Sequence, residues 1–188
     1  MKTVAILHGW AGGPKRGKQF TRNLEAAGFR VVKKAEQADF VIAHSTGCYF
    51  LPKNIKAELV VCINPPYWPG EPIVERWIRM DKNEAKFLIK RFGPGTFLRN
   101  KFWEIYYVFA KPRYTWSVLK NQSHLEFLDQ LSDKQMILVR NKEDEFCSPQ
   151  IKKVINEYNN FKYIEIPGYH SDYYIDPKPY IDLLKQEL

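Results

Sequence analysis

Six short runs of β-branched and apolar residues, at 3–7, 30–33, 40–43, 59–63, 136–139 and 163–166, limit what this chain can become. Each is too short and too uniformly apolar to alternate between core and solvent. Such runs suit strands covered on both faces, as in a parallel sheet. Helical spacing separates several of them. Residues 17–27 place Phe20, Leu24 and Ala27 on one side, and 149–159 and 177–188 have a similar period. Strand and helix in alternation predict an α/β layered fold in one domain, a size that 188 residues support.

Two places break the regularity. Only six residues separate Lys33 from Phe40, where a parallel crossover usually takes a dozen or more. Either the second strand ends early or the chain returns through a single turn at residues 35–38. The second place is the long stretch 65–122. It opens on Pro65-Pro66-Tyr67-Trp68-Pro69-Gly70, is interrupted at Gly93-Pro94-Gly95 and meets Pro112. Residues 73–92 and 97–110 have helical spacing, so the stretch reads as a helical cap inserted after the fourth strand. Pro65–Gly70 and Gly93–Gly95 are places where it could pivot.

Charge concentrates in the same stretch. Of a net +8, residues 65–122 carry +6, together with 13 of the 28 aromatic residues. A solvated basic face over an aromatic core accounts for this, and so would a surface for nucleic acid, anionic lipid or an acidic partner; charge alone selects none of them. The opening apolar run stops at His8-Gly9, short of a signal-peptide core, and no apolar stretch is long enough to span a bilayer. With three cysteines, Cys48, Cys62 and Cys147, the expectation is a cytoplasmic protein with reduced thiols.

Four local patterns carry chemistry. The strand at 40–43 runs into His44-Ser45-Thr46-Gly47, with Ala43 and Gly47 two residues to either side of the serine. A serine on a strained strand-to-helix turn needs small neighbours there. Taken by itself the pattern is more often a helix N-cap. The first strand ends in His8-Gly9-Trp10-Ala11-Gly12-Gly13, a glycine-rich turn able to aim N–H groups at an oxyanion; Trp10 and Thr46 would supply two donors. Asn141-Lys142-Glu143-Asp144-Glu145 forms an acidic loop after the fifth strand, with Asp144 the chosen carboxylate and Glu143 and Glu145 its rivals. Gly168-Tyr169-His170 follows the last strand and completes the order Ser45, Asp144, His170.

From Val4 onward, these four motifs and the sheet pattern resemble a compact α/β hydrolase of the carboxylesterase type that lacks the first two strands of the full fold. The resemblance implies a three-layer fold of about six mostly parallel strands. It also implies a Ser45–His170–Asp144 triad, an oxyanion hole at Trp10 and Thr46, and no cofactor or metal. The expected substrate is a small ester of short or medium acyl chain, an aryl ester or a lactone. The basic charge could favour an anionic or carrier-bound one. The cap aromatics Trp68, Trp77, Phe102 and Tyr106 are candidates for its pocket. Two other readings compete. A hydrolase fold with a decayed site could serve as a basic, aromatic binding module. Gly12-Gly13-Pro14-Lys15-Arg16-Gly17-Lys18-Gln19 is one residue short of a nucleotide-binding P-loop, with Gln19 in place of the Mg²⁺-holding hydroxyl and Pro14 removing an N–H donor.

Overall fold

A computed structural model describes residues 1–13, 15–67, 69, 73–120, 125–131 and 133–187, with backbone alone for 73–81, 117–120 and 126. Six strands form one sheet: β1 (Thr3–Leu7), β2 (Arg30–Val32), β3 (Phe40–His44), β4 (Leu59–Ile63), β5 (Gln135–Asn141) and β6 (Phe161–Ile166). Their order is β2-β1-β3-β4-β5-β6, and every neighbouring pair is parallel.

The inner strands β1, β3, β4 and β5 are mostly apolar because both of their faces are covered. On one face Val41, Ala43, Val60, Cys62, Met136 and Leu138 pack with Phe127, Leu128, Ile151 and Ile155. The last four come from α5 (Glu126–Asp129) and α6 (Ile151–Ile155). On the other, Phe40, Ile42, Val61, Ile63, Ile137 and Val139 pack with Phe20, Leu24, Tyr173, Tyr180, Ile181 and Leu184. These lie on α1 (Lys18–Ala26), α7 (Asp172–Ile175) and α8 (Lys178–Glu187). The result is three layers.

Both readings of the abbreviated crossover hold together. Strand β2 ends at Val32, and a 3₁₀ turn at Ala35–Gln37 carries the chain past β1 to β3. Seven residues of extended chain reach about 23 Å, enough for two strand spacings of about 4.8 Å and the return along three short residues of strand. Ala35 and Ala38 are buried against the sheet as they pass.

Between β4 and β5 lie three long helices: α2 (Ile73–Phe92), α3 (Pro94–Ala110) and α4 (Pro112–Lys120). Gly93 makes the break between the first two at φ 80°. Pro112, which the sequence suggests as a stop, instead opens α4. Proline costs nothing at a first helical position, where its missing N–H would have had no partner.

A wholly parallel sheet sends every strand's C-terminal end to one edge. The loops after β1, β3, β5 and β6 therefore meet there, and β1 and β3 flank the point where chain order reverses, the usual ligand crevice of such sheets. Leu138, fully buried in β5, tests the double-sided packing. Leu138→Ala is expected to lower unfolding free energy by about 2–5 kcal/mol in urea denaturation, and a loss typical of a surface site would contradict it.

Candidate active site

Ser45 leaves β3 in a left-handed conformation, φ 54°, which a non-glycine residue adopts only when its surroundings enforce it. Two glycines make room. A side chain at Gly47 would place its first carbon 2.4 Å from the Leu7 carbonyl oxygen, and one at Gly9 would lie 2.6 Å from Ser45 Cβ. The β1 loop and the serine turn thus press backbone to backbone. Residues Ser45–Phe50 continue as a 3₁₀ helix and not as an α-helix.

Across the edge, His170 Nε2 lies 2.8 Å from Ser45 Oγ, and His170 Nδ1 lies 2.7 Å from Asp144 Oδ2. With Nδ1–H donating to the carboxylate, Nε2 is left to accept the serine proton. Asp144's side chain is fully buried and His170's is 16% exposed. The other Asp144 oxygen accepts the Phe146 N–H at 2.8 Å. The rival carboxylates are employed elsewhere. Glu143 accepts the Gly168 N–H at 2.5 Å, and Glu145 accepts the Asn83 amide of α2 at 2.5 Å.

The acid loop is held from beneath. The buried Arg140 guanidinium donates to the carbonyls of Cys147, Lys142 and Asp144 and pairs with Glu165 at 2.9 Å. Asn141 reaches across to the Tyr169 carbonyl and the Tyr180 hydroxyl, both at 2.6 Å, joining the acid loop to the histidine turn. Its own N–H donates to Asn64 Oδ1 at 2.7 Å.

His44 lies beside the chain of hydrogen bonds. Its Nε2 donates to the His170 carbonyl at 3.2 Å, and its ring stacks on Tyr173 at 4.3 Å. Burial, and then the neighbouring imidazole of His170, hold its pKa well below the usual value, so it stays neutral. Burial also depresses His170, but the Asp144 carboxylate, by charge and hydrogen bond, and Glu84 more than offset this. Its pKa lies above the ordinary value.

Glu84 was not legible in the sequence. From α2 it accepts the Ser171 N–H at 2.9 Å, one residue from His170. Phe87 stacks on Tyr169 at 4.1 Å, and Arg91 pairs with Asp176 at 2.9 Å. Positions 84, 87 and 91 share one helical face, and that face grips the histidine turn. Burial raises the Glu84 carboxyl above its ordinary value, with the Ser171 N–H and His170 opposing.

A cavity of about 60 Å³ opens in front of Ser45, walled by Trp10, Pro66, Phe146 and Tyr174 with Arg16 and Glu84 among its polar groups. Thr46 N–H sits in the first turn of the 3₁₀ helix, where it has no partner within the helix. Trp10 N–H does not stand open: it donates to Thr46 Oγ1 at 2.7 Å, while the Trp10 indole donates to Thr115 Oγ1 of α4 at 2.9 Å. Of the cap aromatics expected at the pocket, Phe102 and Tyr106 are 61% and 49% exposed, stacked on each other along α3, and do not line this cavity. Trp68 and the side chain of Trp77 lie outside the described residues. Among the described residues no cluster of side chains could hold a metal, and no helix is long and apolar enough to cross a membrane.

The chain has the α/β-hydrolase fold. It superposes on a hydrolase from Oleispira antarctica, olei00960, with TM-score 0.69 and 15% identity over 99% of this chain and 90% of that one. It matches an esterase from Exiguobacterium antarcticum with TM-score 0.69 and 13% identity, covering 100% and 91%. A thioesterase domain from the curacin biosynthetic pathway aligns with TM-score 0.64 and 11% identity over 97% and 90%. No family model matches the sequence, and no curated protein does.

In an NMR titration, Asp144→Asn is expected to drop the His170 pKa below 6.5, because burial, the largest influence, is then opposed only by the more weakly acting Glu84. Glu143→Gln and Glu145→Gln should leave it raised; a larger drop in either would move the orienting role to a glutamate.

Proposed function

We propose that the protein is a serine hydrolase acting on carboxylic esters or thioesters of short acyl chain through an acyl-enzyme. One observation carries this reading: a strained Ser45 whose Oγ is 2.8 Å from His170 Nε2, with His170 Nδ1 2.7 Å from a buried Asp144. Structural likeness to esterases and a thioesterase supports it at the level of fold. The chain order Ser45, Asp144, His170 adds to that support.

In this mechanism Ser45 Oγ attacks the carbonyl carbon as its proton passes to His170 Nε2. Asp144 keeps the imidazole oriented and stabilises the imidazolium. The oxyanion takes the Thr46 N–H, and the Trp10 N–H once the Thr46 hydroxyl rotates away from it; each donor contributes about 10²–10³-fold to the rate. His170 then gives its proton to the leaving oxygen or sulfur, and the bond from carbonyl carbon to that atom breaks. Water attacks the acyl-serine, losing its proton to His170, which returns one to Ser45 Oγ as the acid departs. A cavity of about 60 Å³ holds only a few heavy atoms, which favours a small acyl group.

Ser45→Ala and His170→Ala should each lower kcat on p-nitrophenyl acetate by about 10⁴-fold or more. Undiminished turnover in either would refute the assignment. Since His170 must be neutral to accept the proton and its pKa is raised, activity should fall with decreasing pH through a midpoint above 6.5. A midpoint below 6.5 would contradict the raised imidazole.

A further inference from the structure

The P-loop-like segment finds a place next to the candidate active site. Residues Lys15, Lys18, Gln19 and Arg22, on the loop and first turns of α1, face Arg99, Asn100 and Trp103 of α3 across a second cavity of about 570 Å³. That volume falls in the range of small-molecule sites. Among the described residues its wall holds five cationic side chains, Lys15, Arg16, Lys18, Arg22 and Arg99, and no carboxylate. Among the described residues Lys15, Lys18, Arg22 and Arg99 have no ion-pair partner. Holding like charges around a cavity is unfavourable unless an anion neutralises them.

A second observation points the same way. Asn100 is 3% exposed, lines this cavity, and its amide NH₂ meets no acceptor among the described residues. A buried donor without a partner costs about 1–3 kcal/mol, and a ligand oxygen would remove that cost. Arg16 Nε is likewise buried without an acceptor. Helix α1 adds its own N-terminus, with Gly17 at the cap supplying no side-chain oxygen and no acidic residue in the first turn.

The two cavities share walls. Arg16 and Tyr174 line both, with the Arg16 guanidinium 4.5 Å from the centre of the Tyr174 ring. Arg16 is fixed there by the Ala11 carbonyl at 3.2 Å and Ser171 Oγ at 3.4 Å. A ligand extended past Arg16 would place one end at Ser45 and the other among the cations.

We propose that the cavity between α1 and α3 binds the phosphate groups of a phosphorylated ester or thioester whose scissile carbonyl lies at Ser45. Several cations and a neutral amide donor match a group bearing two or more negative charges better than a single carboxylate, and arginine forks suit phosphate oxygens. The substrate clause rests on the hydrolase reading; the anion site does not.

Isothermal titration with inorganic pyrophosphate tests the site directly. Arg22→Glu with Arg99→Glu should weaken binding about tenfold or more, as losing two charge-assisted contacts requires. Lys56→Glu with Lys153→Glu, ahead of β4 and on α6, makes the same change in net charge and should leave the affinity as in the wild type. Thermal melts establish that both double variants are folded. Equal weakening in the two pairs, or a wild type that binds no pyrophosphate, would overturn the proposal. So would a single-stranded oligonucleotide bound in its place. For the substrate clause, the acetyl thioesters of coenzyme A and of pantetheine present the same scissile bond with and without phosphates. The phosphorylated one should show a KM about tenfold lower, a gap that narrows with added salt. Equal KM values would overturn that clause. Turnover of neither would fail the hydrolase reading, while the pyrophosphate titration would still decide the anion site.

Discussion

The hydroxyl of Ser45 reaches His170 only because its backbone holds a left-handed turn that the polypeptide would not choose alone. That turn exists because Gly9 and Gly47 let the loop after β1 lie directly on the end of β3. Strain of this kind costs of order 1–3 kcal/mol and persists where packing overdetermines it. Here the packing is the sheet itself: Leu7 pairs with Ala43 across the β1–β3 ladder, and the contacts that fix the turn extend that pairing by a few residues. The site is a continuation of the sheet edge.

The rest of the arrangement keeps a buried carboxylate and an imidazole facing that hydroxyl. Arg140 and Asn141 leave β5 as polar residues in an otherwise apolar strand, and both are used to tie loop carbonyls together. With Glu143 held by the Gly168 N–H and Glu145 by Asn83, Asp144 is left as the carboxylate facing His170. From the other side, α2 presses Glu84, Phe87 and Arg91 onto the histidine turn. Movement of that helix would therefore change both access to Ser45 and the field felt by His170, since Glu84 contributes to the raised imidazole pKa.

Much of this was legible in the residues, for identifiable reasons. Strands buried in a layered sheet leave short apolar runs, so all six strand positions and the sheet class follow from composition over a few residues. Ser45, Asp144 and His170 could be named because a parallel sheet collects its loop residues at one edge, whatever their separation in sequence. Direction was harder to read. Phe102 and Tyr106 are aromatic in a region rich in aromatics, yet which way a helix turns its side chains depends on what it packs against, and α3 turns these two outward. The Trp10 N–H bond to Thr46 depends on one hydroxyl rotamer, for which no sequence signal exists. Arg16 and Asn100 could not be placed without knowing that α1 and α3 face each other.

All of these features converge on whether Ser45 is chemically activated by His170. Reaction with a fluorophosphonate probe, located by mass spectrometry, measures this directly. The structure predicts a single adduct on Ser45 that disappears in His170→Ala, although Ser45 remains present. Labelling at another residue, or equal labelling of Ser45 without His170, would contradict the account.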